Sequence, residues 1–241
     1  MKFAQLLAAK AADIFAAKEP VMAFLGDSVT QGCFEVYEVS DTAVETVYES
    51  KNAYAEKLSR IFSVLYPNVP VGVINAGISG GTAPNGLERL ERDVLCHHPD
   101  LITVCFGLND CGHGPEGLQA YLDALQGIFR ACREAGAEVL FLTPNIMATR
   151  TDPRVGGELC RKIAQSIAQA QNGGVLDLYI QEAKALCARE QVPVCDAYAR
   201  WKRLQELGAD TTGLLANYLN HPTREMHWLF AAALADTILF S

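Results

Sequence analysis

The chain reads as an α/β fold built on a parallel sheet covered by helices on both faces, a three-layer α/β/α sandwich. Three observations carry this reading. Strand-like runs alternate with amphipathic helical runs along the chain, the pattern of parallel strands sandwiched between helices. Three of the strand-like runs each end in a cluster of small and polar residues. In a parallel sheet such ends share one edge, where these folds bind ligands. Finally, 50% of the 241 residues are apolar, enough for a large core in one domain spanning 1–241.

Taken in order, Phe3, Leu6, Leu7, Ala11, Ile14 and Phe15 recur at helical spacing, so an amphipathic helix over about 2–17 precedes the first strand. That strand, Val21 to Leu25, stops at Gly26-Asp27-Ser28-Val29-Thr30-Gln31-Gly32. Residues 33–52 carry Glu35, Glu38, Asp41, Glu45 and Glu49 among Tyr37 and Tyr48 without clear periodicity. They are expected to form a long acidic loop beside Ser28. A helix over 53–65 leads to the second strand, 70–75, which passes into Gly77-Ile78-Ser79-Gly80-Gly81-Thr82. After a helix over about 85–95, the third strand, Leu101 to Phe106, stops at Gly107-Leu108-Asn109-Asp110.

A helix over 115–135 ends at Gly136, and 138–143 form the fourth strand. Residues 154–190 are helical on either side of a break at Asn172-Gly173-Gly174, and 191–195 form a short fifth strand. Helices close the chain, the last with Met226, Leu229, Phe230, Ala233, Leu234, Thr237 and Ile238 on one face.

Charge narrows the partners. A formal net charge of −8 argues against nucleic acid and against anionic membrane surfaces, because phosphates would be repelled. Lysines at 2, 10 and 18 interrupt the N-terminal stretch, leaving no export-signal core. No apolar run approaches membrane-spanning length. Eight cysteines without an export signal are expected to be reduced thiols in the cytoplasm.

The strand ends bring chemistry with them. Ser28 is a candidate nucleophile, though a serine after a strand also commonly caps the following helix. Gly80, whose N–H no side chain obstructs, and Asn109, a donor that does not titrate, are candidate donors to a developing oxyanion. His221, in Asn220-His221-Pro222, is the candidate base, its ordinary pKa lying near working pH. His227, six residues on, is a rival. His113, near Asn109 in sequence, is a candidate substrate contact. Cys33 is a loop thiol beside the serine. Neither Cys96-His97-His98 nor Cys111-Gly112-His113 matches zinc-ligand spacing, so no metal is expected. The α/β-hydrolase elbow, the dinucleotide fingerprint and the P-loop are all absent.

These blocks resemble those of the SGNH hydrolases, also called the GDSL esterase/lipase family. Gly26-Asp27-Ser28 resembles their first block, Asn75-Ala76-Gly77-Ile78-Ser79-Gly80 their second, Gly107-Leu108-Asn109-Asp110 their third and His221-Pro222 their last. The resemblance covers residues 26–222. It implies a flavodoxin-like fold with a five-stranded parallel sheet, Ser28 as nucleophile, Gly80 and Asn109 in the oxyanion hole, His221 as base, and no cofactor. The implied activity is serine-esterase hydrolysis of a small acyl ester, an acetyl ester of a carbohydrate suiting the acidic loop best. A lysophospholipase or thioesterase of the same family is an alternative. Oligomeric state is not legible.

One position departs from the pattern. The family carries an aspartate three residues before its histidine, and here Tyr218 stands there. A phenol supplies no negative charge near neutral pH. The expectation is therefore a Ser28–His221 dyad whose Nδ1–H donates to a backbone carbonyl or to a carboxylate from elsewhere, Asp196 being one option. Loss of the acid also admits a non-catalytic binding module on the same scaffold.

Overall fold

The computed structural model describes residues 1–240. Helix α1 (Lys2–Ala12) precedes strand β1 (Val21–Gly26), and a one-turn helix α2 (Ser28–Gln31) follows it directly. An antiparallel ribbon, β2 (Cys33–Ser40) and β3 (Ala43–Tyr48), comes next, then α3 (Tyr54–Leu65), β4 (Gly72–Gly77) and α4 (Ala83–Asp93). Strand β5 (Leu101–Cys105), α5 (Leu118–Glu134), β6 (Glu138–Leu142), α6 (Glu158–Asn172), α7 (Val175–Glu190), β7 (Val194–Cys195), α8 (Ala197–Glu206) and α9 (His227–Phe240) complete the chain.

The main sheet has five parallel strands in the order β4-β1-β5-β6-β7. Helices α1, α3, α8 and α9 contact one another in one group, and α4, α5, α6 and α7 in another. The strands between them are buried on both sides: Phe24, Leu25, Val104, Phe141 and Leu142 are all inaccessible to solvent. Burial on this scale is the main stabilising term of such a fold. Among the described residues, no helix is long and apolar enough to cross a membrane.

Register is what brings the three loops together. Gly26 at the end of β1 pairs with Gly77 on one side and Cys105 on the other, so the three chains leave the sheet at the same level. Gly77 must be glycine for packing reasons. A Cβ there would lie 2.2 Å from the Gln31 backbone nitrogen, well inside contact distance.

Two expectations are corrected. The N-terminal helix stops at Ala12, not near 17, because the Asp13 carboxylate accepts the Phe15 and Ala16 N–H groups (3.0 and 2.9 Å) and turns the chain. Phe15 is left 98% exposed. Residues 33–48 are a β-ribbon, not a loop. It lies outside the main sheet and is mostly solvent-exposed on β3, so neither face is uniformly apolar and alternation is blurred. Its β-branched content, with Asp41-Thr42 at the tip, is the signal that marks it.

Candidate active site

The first block forms a tight turn around Asp27. Its Oδ1 accepts the Val29 N–H at 2.9 Å and caps α2. Capping therefore falls to Asp27, and the Ser28 hydroxyl is left for other partners. Asp27 is almost wholly buried, and its second carboxyl oxygen has no hydrogen-bond partner among the described residues. Burial raises its pKa to about 7, against the lowering effect of the Val29 N–H.

The second block is held to the first by side-chain amides. Asn75 Nδ2 donates to the Thr30 carbonyl (2.8 Å), and its Oδ1 accepts the Gly77 N–H (3.0 Å). Gln31 Oε1 accepts the Ser79 N–H at 2.7 Å. Gly80 follows with φ of +75° and open space where a Cβ would project. The third block is tied to the second through Asp110, whose carboxylate accepts the Ala83 N–H (2.8 Å) and the Gly107 N–H (3.0 Å). Burial raises the Asp110 pKa to about 6. Asn109 donates one amide hydrogen to the Gly81 carbonyl at 2.9 Å, and its second hydrogen remains to donate.

His221 arrives from far along the chain. Its Nε2 lies 3.0 Å from Ser28 Oγ, and its Nδ1 lies 2.9 Å from the carbonyl oxygen of Phe34 in β2. Because a carbonyl only accepts, the proton sits on Nδ1 and Nε2 is free to accept from the serine. The loop is rigidly built. Asn217 Oδ1 accepts the N–H groups of Leu219, Asn220 and His221, each at 3.0 Å. Asn145 Nδ2 donates to the Asn220 carbonyl at 2.8 Å. His221 is only 5% exposed. Burial lowers its pKa to about 4, with the Phe34 carbonyl pulling the other way.

Tyr218, at the position of the missing acid, is in the left-handed region at φ +56°. Its ring lies under the Arg154 guanidinium, 4.2 Å away. Asp196 is engaged elsewhere, capping α8 through the Ala199 N–H (3.0 Å), accepting from Thr143 and pairing with Lys184. Of the two kinds of partner expected for Nδ1, the structure has the backbone carbonyl.

The other candidates separate clearly. His227 is a core residue on α9. Its Nδ1 accepts the Tyr54 N–H (3.0 Å), its ring stacks on Tyr54, and burial lowers its pKa to about 3. Cys33 is buried, and burial raises its thiol pKa to about 12, the opposite of a reactive thiolate. His113 lines a cleft of about 820 Å³ that opens from Gly80, with Thr82, Asn85 and Glu116. Among the described residues, no group of three His, Cys, Asp or Glu side chains could hold a metal ion.

Two features beside the site escaped the sequence. The Phe34 carbonyl has no residue signature, because every residue has one. Arg224 could have been found from the unpaired run of acids at 35–49. It donates to Glu35 Oε1 (2.6 Å) and Oε2 (2.9 Å), to Glu49 Oε2 (2.9 Å), and to Glu49 Oε1.

This fold, a five-stranded parallel sheet between two layers of helices, is that of the SGNH hydrolases. The chain belongs to the GDSL-like lipase/acylhydrolase family, whose model matches residues 24–229. It is 31% identical over 87 residues to an acetylxylan esterase of Geobacillus stearothermophilus, an alignment covering 36% of this chain and 38% of that protein. It is 28% identical over 116 residues to an arylesterase of Vibrio mimicus, covering 46% and 54%. These alignments thus span about half or less of the curated relatives' length. The fold is similar to the crystal structure of a Geobacillus stearothermophilus acetylxylan esterase, with TM-score 0.65, 21% identity and coverage of 92% of this chain and 95% of that one. It is also similar to a two-domain esterase active on acetylated mannans, with TM-score 0.66, 19% identity and coverage of 99% and 53%.

Proposed function

We propose that this protein is a serine esterase that removes a small acyl group, acetyl foremost, from a neutral alcohol such as a carbohydrate hydroxyl. The observation that carries the reading is the 3.0 Å contact between Ser28 Oγ and an imidazole nitrogen kept free to accept its proton. The reading of 1–241 as one functional unit rests on a continuous core running from Phe3 to Ile238.

The steps follow from the geometry. His221 Nε2 takes the Ser28 proton as Oγ attacks the ester carbonyl. The oxyanion accepts from Ser28 N–H, Gly80 N–H and the second Asn109 amide hydrogen, each worth about 3 kcal/mol in such sites. The imidazolium then protonates the departing alcohol, leaving Ser28 acylated. Water, deprotonated by His221, attacks the acyl-enzyme, and release of the carboxylic acid restores both residues.

The alcohol portion is assigned to the cleft beside Gly80, where Thr82, Asn85 and His113 offer polar contacts. Among the described residues no Lys or Arg lines this cleft, which weighs against an anionic head group there. Relatives that act on acetylated xylan and mannan, by their names, support acetyl and carbohydrate.

A series of p-nitrophenyl esters of rising acyl length, with Ser28→Ala as control, tests the reading. Turnover should peak at acetate and fall at least 10³-fold in the variant. A peak at eight carbons or more would assign a lipase or thioesterase. A folded protein that a fluorophosphonate fails to label would be a binding module.

A further inference from the structure

We propose that Arg224 is a positioning residue for His221, clamping the loop that bears the imidazole onto the ribbon that bears the Phe34 carbonyl. The proposal rests on the esterase reading for its catalytic consequence. Its structural content stands apart from that reading.

The clamp has short lever arms. Arg224 lies three residues after His221, and Glu35 directly follows Phe34. The guanidinium grips Glu35 with two N–H groups and Glu49, the residue just after β3, with two more contacts. It also lies over the Phe34 ring at 4.4 Å. A planar fork can serve two carboxylates and an aromatic face at once, which an ammonium cannot. The Arg224 side chain is 29% exposed, and isolated pairs this accessible contribute little stability. The bidentate geometry and its place astride the Nδ1–carbonyl bond give this network a different use. In a site with an acid beside the imidazole, one side chain holds the ring. Here both partners of the Nδ1 bond belong to separate backbone segments, and something must hold those segments together.

The clamp also outlasts acid. Arg224 holds both carboxyls below their usual range, Glu49 at about 2, so the Glu49 arm persists where His221 titrates. Of the ionisable groups on the neighbouring elements, Glu35 follows Phe34 on the ribbon, Glu49 follows β3, Arg224 is on the loop of His221, Asp27 adjoins Ser28, and His227 on α9 interacts electrostatically with His221.

The test compares Arg224→Met, Arg224→Lys and the double variant Glu35→Gln/Glu49→Gln, which keeps side-chain volume should Arg224→Met fail to fold. Three quantities are read: kcat and KM on p-nitrophenyl acetate, the acid limb of kcat/KM, and the His221 titration by NMR, assigned with His221→Ala. A released loop lets the imidazole drift and admits water. The expected result is a kcat about 10- to 100-fold lower with KM within about twofold. His221 should titrate higher, moving from about 4 towards its ordinary value, with Arg224→Lys intermediate. Folded variants with wild-type kcat, or with an unmoved His221 titration, overturn the proposal. If Ser28→Ala hydrolyses as fast as wild type, the esterase reading has failed, and the titration alone decides the clamp.

Discussion

His221 Nδ1 donates to the carbonyl oxygen of Phe34 at 2.9 Å, a hydrogen bond whose acceptor no side-chain substitution can delete. The group orienting the imidazole is therefore invisible to alanine scanning. Tyr218→Phe and Asp196→Asn should leave kcat within about threefold of wild type, whereas removing an orienting acid from a triad costs about 10⁴-fold. A large loss in either variant, in a steady-state assay on p-nitrophenyl acetate, would show that the carbonyl is not the orienting partner. Tyr218→Ala should cost the stack with Arg154, about 0.5–1 kcal/mol, together with its apolar packing against the Val155, Cys160 and Leu219 cluster, read by chemical denaturation.

The acid limb of activity should lie unusually low. His221 has its pKa depressed to about 4 by burial, and the neutral imidazole is the proposed base. Activity should therefore hold as pH falls through 6.5 and be halved near 4, measured as kcat/KM. The same shift bears on stability. The unfolded histidine takes up a proton near 6.5 while the folded one resists to about 4, so this contribution is present above 6.5 and lost as pH falls through 4.

Asp27 predicts the opposite slope. Its folded pKa, about 7, exceeds the ordinary 3.8, so its contribution is full below about 3.8 and lost as pH rises through 7. The loss is up to ~4 kcal/mol, from about three pK units at 1.36 kcal/mol each. Asp27→Asn, which can still cap α2, should flatten the stability profile between pH 5 and 8. Urea denaturation at several pH values reads this directly. Identical slopes in the two proteins would mean that Asp27 does not titrate in that window.

The proposed oxyanion donors should separate binding of charge from backbone strain. Asn109→Ala removes one donor and should lower kcat about 10²- to 10³-fold with little change in KM. Gly80→Ala keeps its N–H and meets nothing within 4 Å, but forces an L-residue to φ +75°. It should cost roughly 1–2 kcal/mol of stability, with kcat within tenfold. A collapse of kcat in Gly80→Ala with unchanged melting would overturn this division.

The parts legible in the sequence share a cause, as do the parts that were not. Ser28, Gly80 and Asn109 stand out because strands ending in small-residue clusters announce both their fold and their edge. The ribbon at 33–48 does not, because it packs on neither side as a uniform face. Once it is missed, Glu35 and Glu49 look like loop charges, and Arg224 looks like a surface cation. The Phe34 carbonyl is further out of reach, since backbone acceptors are common to all residues and only tertiary contact selects one. Tyr218 told only that a partner was missing.

The pairing of Gly26 with Gly77 and Cys105 has a consequence for the order in which the molecule comes together. Ser28 and the two proposed oxyanion donors take their places as soon as three neighbouring strands zip into register, and a slip of one residue would displace a loop by about 3.3 Å. The histidine closes a span of 193 residues, a contact of high sequence separation that loop-closure entropy delays. During refolding, the sheet should therefore appear first as a chemically silent scaffold, and reactivity should switch on only when the last loop docks.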